Sequence, residues 1–163
     1  MTSYDIDGKM VSIEGVKIIP RFKNFSGERW DNQGNRSFTI VIEDEDLLQA
    51  LMNIGYKITY FDTEDEEGNP ISIPELKIKV RFDKFPPEVY TLTGDENGPV
   101  TKYNGETAKE LDNLRFLNCD IVFTPYTWSS AGKSGTVPYL KKLIAIVPKE
   151  AFADKYPQLY GMH

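Results

Sequence analysis

Within ten residues, Arg21-Phe22-Lys23-Asn24-Phe25-Ser26-Gly27-Glu28-Arg29-Trp30, the chain gathers three cations and three aromatic rings. Cations pair with phosphates, and aromatic faces stack on nucleobases. A strand carrying both has the chemistry to hold a single nucleic-acid strand without reading its sequence. The plainer account of these residues is an amphipathic strand running into a loop. Composition alone favours that account, because short mixtures of this kind are common.

Three further stretches carry the same chemistry: Lys77, Lys79 and Arg81; Tyr126 and Trp128; and Lys133, Tyr139, Lys141 and Lys142. A curled five-stranded barrel would bring these strands to one surface. Trp30 and Trp128 stand beside polar residues, as base platforms would. Phe22 and Phe38 read more readily as core or rim packing.

Other chemistries find little support. The one histidine, His163, is the last residue, and the one cysteine, Cys119, lies in an apolar stretch that reads as buried core. A nucleophilic triad would therefore lack its base, and no metal site of clustered His and Cys is expected. Gly132-Lys133-Ser134 resembles the end of a phosphate loop. Thr127 stands where that loop needs glycine, and a hairpin rather than a helix should follow. The acids of residues 62–67 do not fall at the alternate spacing of a calcium loop. No catalytic residue, cofactor or metal is assigned, and the chain is expected not to be an enzyme. A carboxylate-metal nuclease is the weakest alternative.

The elements that must position these residues are mostly strands. Residues 9–25 alternate as a long first strand, broken at Gly15 or Pro20. Residues 36–42 form a second strand. The run Glu43-Asp44-Glu45-Asp46 complements the start of a helix that carries Leu47, Leu48, Leu51, Met52 and Ile54, and Gly55 stops it. Residues 57–61 form a strand leading to an acidic hairpin tip at 62–70. Leu76, Ile78, Val80 and Phe82 face one way, while Lys77, Lys79 and Arg81 face the other. Residues 88–92 make a short strand, 94–105 a loop, and 106–111 a short helix. Residues 114–128 and 137–147 form a long hairpin with a flexible tip at 129–135, and a short helix follows at 149–156.

The 163 residues fit one mainly β domain, an OB-like five-stranded barrel with β-hairpin extensions and two or three short helices. Its core spans about 9–148. The ten prolines and twelve glycines suit that turn-rich class. The formal net charge of −6 does not advertise nucleic-acid binding, but the acid is concentrated in two tracts, leaving other faces free to be basic. No apolar run has the length of a membrane span, and the N-terminus does not read as a secretory signal. Cytoplasmic residence is expected.

At this point the chain resembles the single-stranded DNA-binding proteins encoded by bacteriophages, which have an OB-type barrel. The resemblance rests on Arg21-Phe22-Lys23-Asn24-Phe25-Ser26-Gly27, Gly34-Asn35-Arg36-Ser37-Phe38, and Val80-Arg81-Phe82 leading to Pro86-Pro87-Glu88-Val89-Tyr90. It rests also on Thr124-Pro125-Tyr126-Thr127-Trp128 and the run from Gly132 to Lys141. The resemblance covers roughly residues 10 to 156, with these motifs in the same order. The resemblance implies coating and protection of single-stranded DNA in phage replication or recombination, inside an infected bacterial cell. It implies contacts at Arg21, Lys23, Phe25, Arg36, Tyr126, Trp128 and Lys141. Phe22, Arg29, Trp30, Lys77, Lys79, Arg81, Lys133, Tyr139 and Lys142 complete the expected interface. Homodimerisation through edge strands and contacts with phage or host replication and recombination proteins are further expectations. The last residues lack the acidic tail of host-type proteins, so recruitment by that route is not expected. The rival reading is an acidic protein-interaction module, an assembly factor or DNA mimic.

Overall fold

The computed structural model describes residues 3–28, 34–84 and 86–149, without the side chain of Arg21. Arg29, Trp30 and the expected C-terminal helix, except its first residue, lie outside that description. The chain opens with a hairpin of β1 (Ser3–Asp7) and β2 (Met10–Glu14). At Gly15, whose φ of 72° a side chain would strain, the path turns into β3 (Lys17–Ile18). The corner is pinned from outside. The Gly15 N–H donates to the Asp120 carboxylate at 2.9 Å, and the Val16 N–H donates to the Cys119 carbonyl at 2.9 Å.

Pro20 fixes a short 3-10 turn, Pro20–Phe22, which ends the first strand. Next come β4 (Arg36–Val41), α1 (Glu45–Ile54), β5 (Thr59–Glu64), β6 (Pro70–Val80), β7 (Glu88–Thr93) and β8 (Val100–Tyr103). A 3-10 helix (Ala108–Asn113) leads to β9 (Asn118–Ser130) and β10 (Lys133–Val147). The expected start and stop of α1 hold. The Asp44 carboxylate accepts the Leu47 N–H at 3.0 Å, and Gly55 closes the helix at φ 110°.

Strand pairing runs β3–β4–β6–β10–β9–β2 and returns to β3 through the Gly15 corner. That order makes the fold OB-like. The ring is thinnest between β6 and β10, which run parallel and meet at the single pair Lys79–Tyr139. The barrel is therefore open there rather than sealed. Alternation supplies the interior, where Ile13, Phe38, Ile40, Leu76, Ile78, Ile121, Phe123 and Leu140 are all buried. Cys119 is buried among them, and burial pushes its thiol pKa well up.

Two strands escaped the sequence reading. Residues 94–105 contain β8, which pairs with β7 and buries Tyr103, its hydroxyl 3.1 Å from Thr91 Oγ1. Glycine-rich flanks concealed so short a strand. β1 escaped because its alternation, Tyr4 and Ile6, is too short to stand out and its residues are mostly exposed.

Candidate nucleic-acid interface

The alternation of β6 places Leu76, Ile78 and Val80 inside and Lys77 and Lys79 outside, with half-buried Arg81 following just past the strand's end. Lys79 is the residue that meets Tyr139 across the seam. On β9 and β10 the outward positions continue the row, with Thr124 opposite Tyr139, Tyr126 opposite Val137, and Trp128 opposite Gly135. The Tyr126 and Tyr139 rings stack, with centroids 5.1 Å apart and planes within 10°. Trp128 lies against the strand because Gly135 has no side chain. A Cβ there would sit 2.7 Å from the indole nitrogen. Tyr126 and Trp128 are 44% and 40% exposed, so each keeps ring surface open for a stacking partner.

Beyond Trp128 the arm ends in a two-residue turn. Ala131 and Gly132 have φ of 51° and 78°, as in a type I′ hairpin. Lys133 stands exposed just after it. At the other end a β-bulge after Leu140 sets Lys141 out of register. Lys141 then lines a cleft of about 480 Å³ with Lys84, Pro86, Pro125, Tyr126 and Tyr139. Neither Lys84 nor Pro86 was among the residues expected at the interface. Pro86-Pro87 entered only among the residues that carry the resemblance, although Pro86 forms a wall of the cleft beside the tyrosines.

Two expected cations are held by carboxylates. Arg81 presents its fork to Asp83, with Nε–Oδ1 at 3.0 Å and Nη2–Oδ2 at 3.1 Å. This contact, and next the carboxylate's charge and the nearby Tyr139, raise the arginine pKa. The same contact holds the Asp83 carboxyl down at about 2. Lys142 pairs with Glu88 at 3.5 Å.

The segment that dominated the sequence reading serves a different purpose. Phe25 is wholly buried and stacks on Phe38 at 5.2 Å. Lys23 is 4% exposed. Its ammonium donates to the carbonyls of Leu111, at 3.0 Å, and Leu114, and it lies 4.4 Å from the Phe116 ring centre. Asp112 accepts the N–H groups of Phe25 and Ser26. Arg36 donates to the carbonyls of Phe25, at 2.9 Å, and Gly105, at 2.6 Å, and packs on Phe82. Lys23, Phe25 and Arg36, expected as nucleic-acid contacts, here fasten residues 20–26 to the 105–116 crossing. Phe22 is half-buried in the 3-10 turn, away from the exposed class of Tyr126 and Trp128.

The structure therefore gathers Lys77, Lys79, Arg81, Tyr126, Trp128, Lys133, Tyr139 and Lys141 on one face. Among the described residues, no group of three or more His, Cys, Asp or Glu is placed to hold a metal, and no helix is long and apolar enough to cross a membrane.

A family model described as "Putative phage ssDNA-binding domain" matches residues 3–162. Among solved structures, the single-stranded DNA-binding protein from bacteriophage Enc34 is similar in fold. It has a TM-score of 0.50 and 8% identity over 92% of this chain and 91% of that one. The same phage protein in complex with ssDNA gives 0.51 and 9% identity, with 90% of each chain covered. The single-stranded DNA binding protein gp2.5 of bacteriophage T7 gives only 0.40 and 11% identity, over 90% of this chain and 96% of that one. No curated protein matches the sequence.

Proposed function

The chain belongs to the phage single-stranded DNA-binding domain family, and from that premise we propose that the strand it binds runs along the β9–β10 arm and across β6. Bases stack on Trp128, Tyr126 and Tyr139. Phosphates pair with Lys77, Lys79, Arg81, Lys133 and Lys141, and Lys142 joins when its pair with Glu88 opens. Phe22, Arg21, Arg29 and Trp30 extend the surface in this reading. The observation that carries it is the stacked, half-exposed tyrosine pair lying in line with cations on β6. Such a surface binds through backbone charge and stacking, so it tolerates any sequence.

The role we infer is non-catalytic coating of single-stranded DNA during phage replication or recombination, in the cytoplasm of the infected bacterium. The chain acts as one OB-like domain with its core at about 9–148. A homodimer, and replication or recombination proteins as partners, are part of this reading.

The test is tryptophan fluorescence during titration with a homopolymer single strand at low and high salt, with duplex as control. Quenching by the single strand alone, reduced in Trp128→Phe, is the expected result. Lys79→Ala should reduce the salt slope by about 0.7, the contribution of one phosphate contact on a single strand. No binding to either form at low salt would sink the proposal and leave the acidic interaction module standing.

A further inference from the structure

The hairpin of β5 with the first half of β6 has no part in the surface just described. β5 pairs only with β6, so its outer edge has no neighbouring strand among the described residues. The hairpin carries unusually apolar exposed side chains: Tyr60 is 53% exposed, Phe61 40% and Ile71 38%. Its register places Phe61 opposite Ile73 and Thr63 opposite Ile71, which makes one apolar face. Tyr60, Asp62 and Glu64 share the opposite face. Natural edge strands are normally blunted by charge, Pro or bulges, and an exposed apolar edge invites pairing.

The charge on the hairpin says what pairs there. Asp62, Glu64, Asp65, Glu66 and Glu67 crowd its tip, and none of them joins an ion pair among the described residues, whose three pairs all lie elsewhere. Five carboxylates repel a phosphate backbone. They also disfavour a second copy of this chain, because symmetric pairing of β5 with β5 would set acid against acid. We propose that the outer edge of β5 docks an extended basic segment of a partner protein by strand addition. The partner lays apolar side chains against Phe61 and Ile71 and Lys or Arg against Asp62 and Glu64. This surface is separate from the DNA face, so the proposal stands or falls independently of DNA binding.

The test uses the full chain, ¹⁵N-labelled, titrated with a synthetic ten-residue peptide of alternating valine and lysine. The same peptide with glutamate for lysine is the control. The expected result is salt-sensitive binding of the lysine peptide alone, with amide shifts concentrated at residues 59–64. Phe61→Ser, on an exposed site that should not impair folding, is expected to weaken it about tenfold, the scale of a good interface residue. The double change Asp62→Lys with Glu64→Lys should turn the preference to the glutamate peptide. Equal binding of both peptides, shifts mapping away from β5, or a dimer in sedimentation that Phe61→Ser abolishes would each overturn the proposal.

Discussion

Lys23 shows how far a side chain's type can mislead about its task. A lysine between two phenylalanines reads as a phosphate contact, yet its ammonium closes off two carbonyls at the end of a 3-10 helix almost ninety residues away. Lys23→Met should strand those carbonyls and cost about 2–4 kcal/mol, since the lost bonds involve a charge and leave buried acceptors unmet. Urea unfolding would show the cost, while DNA affinity of the folded fraction should be unchanged. Nothing local in the sequence reports that crossing, which is why the partners of Lys23 were not anticipated. At Tyr56 the sign reverses. Its hydroxyl is buried with no hydrogen-bond partner among the described residues, so Tyr56→Phe should stabilise by about 1 kcal/mol. Burial favours the neutral forms of both Tyr56 and Cys119. The unfolded chain ionises first, near the ordinary values of 9.0 for the thiol and 10.0 for the phenol. The stability tied to these two groups should therefore be full below pH 9 and fall as pH rises further, as thermal melts from neutral pH upward would record. At Asp83, replacement by Asn should release the Arg81 fork and tighten single-strand binding by up to about fivefold, the scale of an exposed ion pair. A filter-binding series at low salt would measure the gain.

Among the elements, those with a strict period of two were legible. β6 was found from Leu76 onward with its faces correctly sorted, because one side lies in the core. β9 and β10 were found as a hairpin, but the tip expected to be flexible at 129–135 is strand except for the turn at Ala131 and Gly132. The α1 boundaries were legible from Asp44 and Gly55. β1 and β8 were not, since pairing rather than pattern makes them strands. The arm at the end of β9 and β10 has its own logic. Gly135 makes room for the indole, so Gly135→Ala should displace Trp128 and lower single-strand affinity. Its salt slope should stay unchanged, because stacking and not charge is lost. A fluorescence titration at several salt concentrations separates the two terms. Ala131 holds a left-handed conformation at the tip. Ala131→Asn should relieve about 1 kcal/mol of strain and sharpen the turn, raising the melting temperature without touching the stacking face.

For the whole molecule, the formal net charge of −6 hides a division of labour. Cations line the outer side of β6 and the arm, while acids crowd the β5–β6 hairpin. That division explains why an acidic protein can still belong to a DNA-binding family. The aromatic residues of the proposed site were picked out by type, but their geometry was not legible. The Tyr126–Tyr139 stack depends on a diagonal across two strands, and the adjoining cleft depends on Pro86 arriving from a distant loop.

The seam between β6 and β10 has a consequence in time rather than in space. β9 and β10 pair along most of their length across a two-residue turn, so they join residues that are near neighbours in the chain. Lys79 and Tyr139 are sixty positions apart and are joined by one pair. Loop entropy opposes that contact, and little local bonding rewards it early. The hairpin should therefore be organised in the folding transition state and the seam completed after it. Substitutions in the hairpin core should slow folding, and those at the seam should chiefly hasten unfolding.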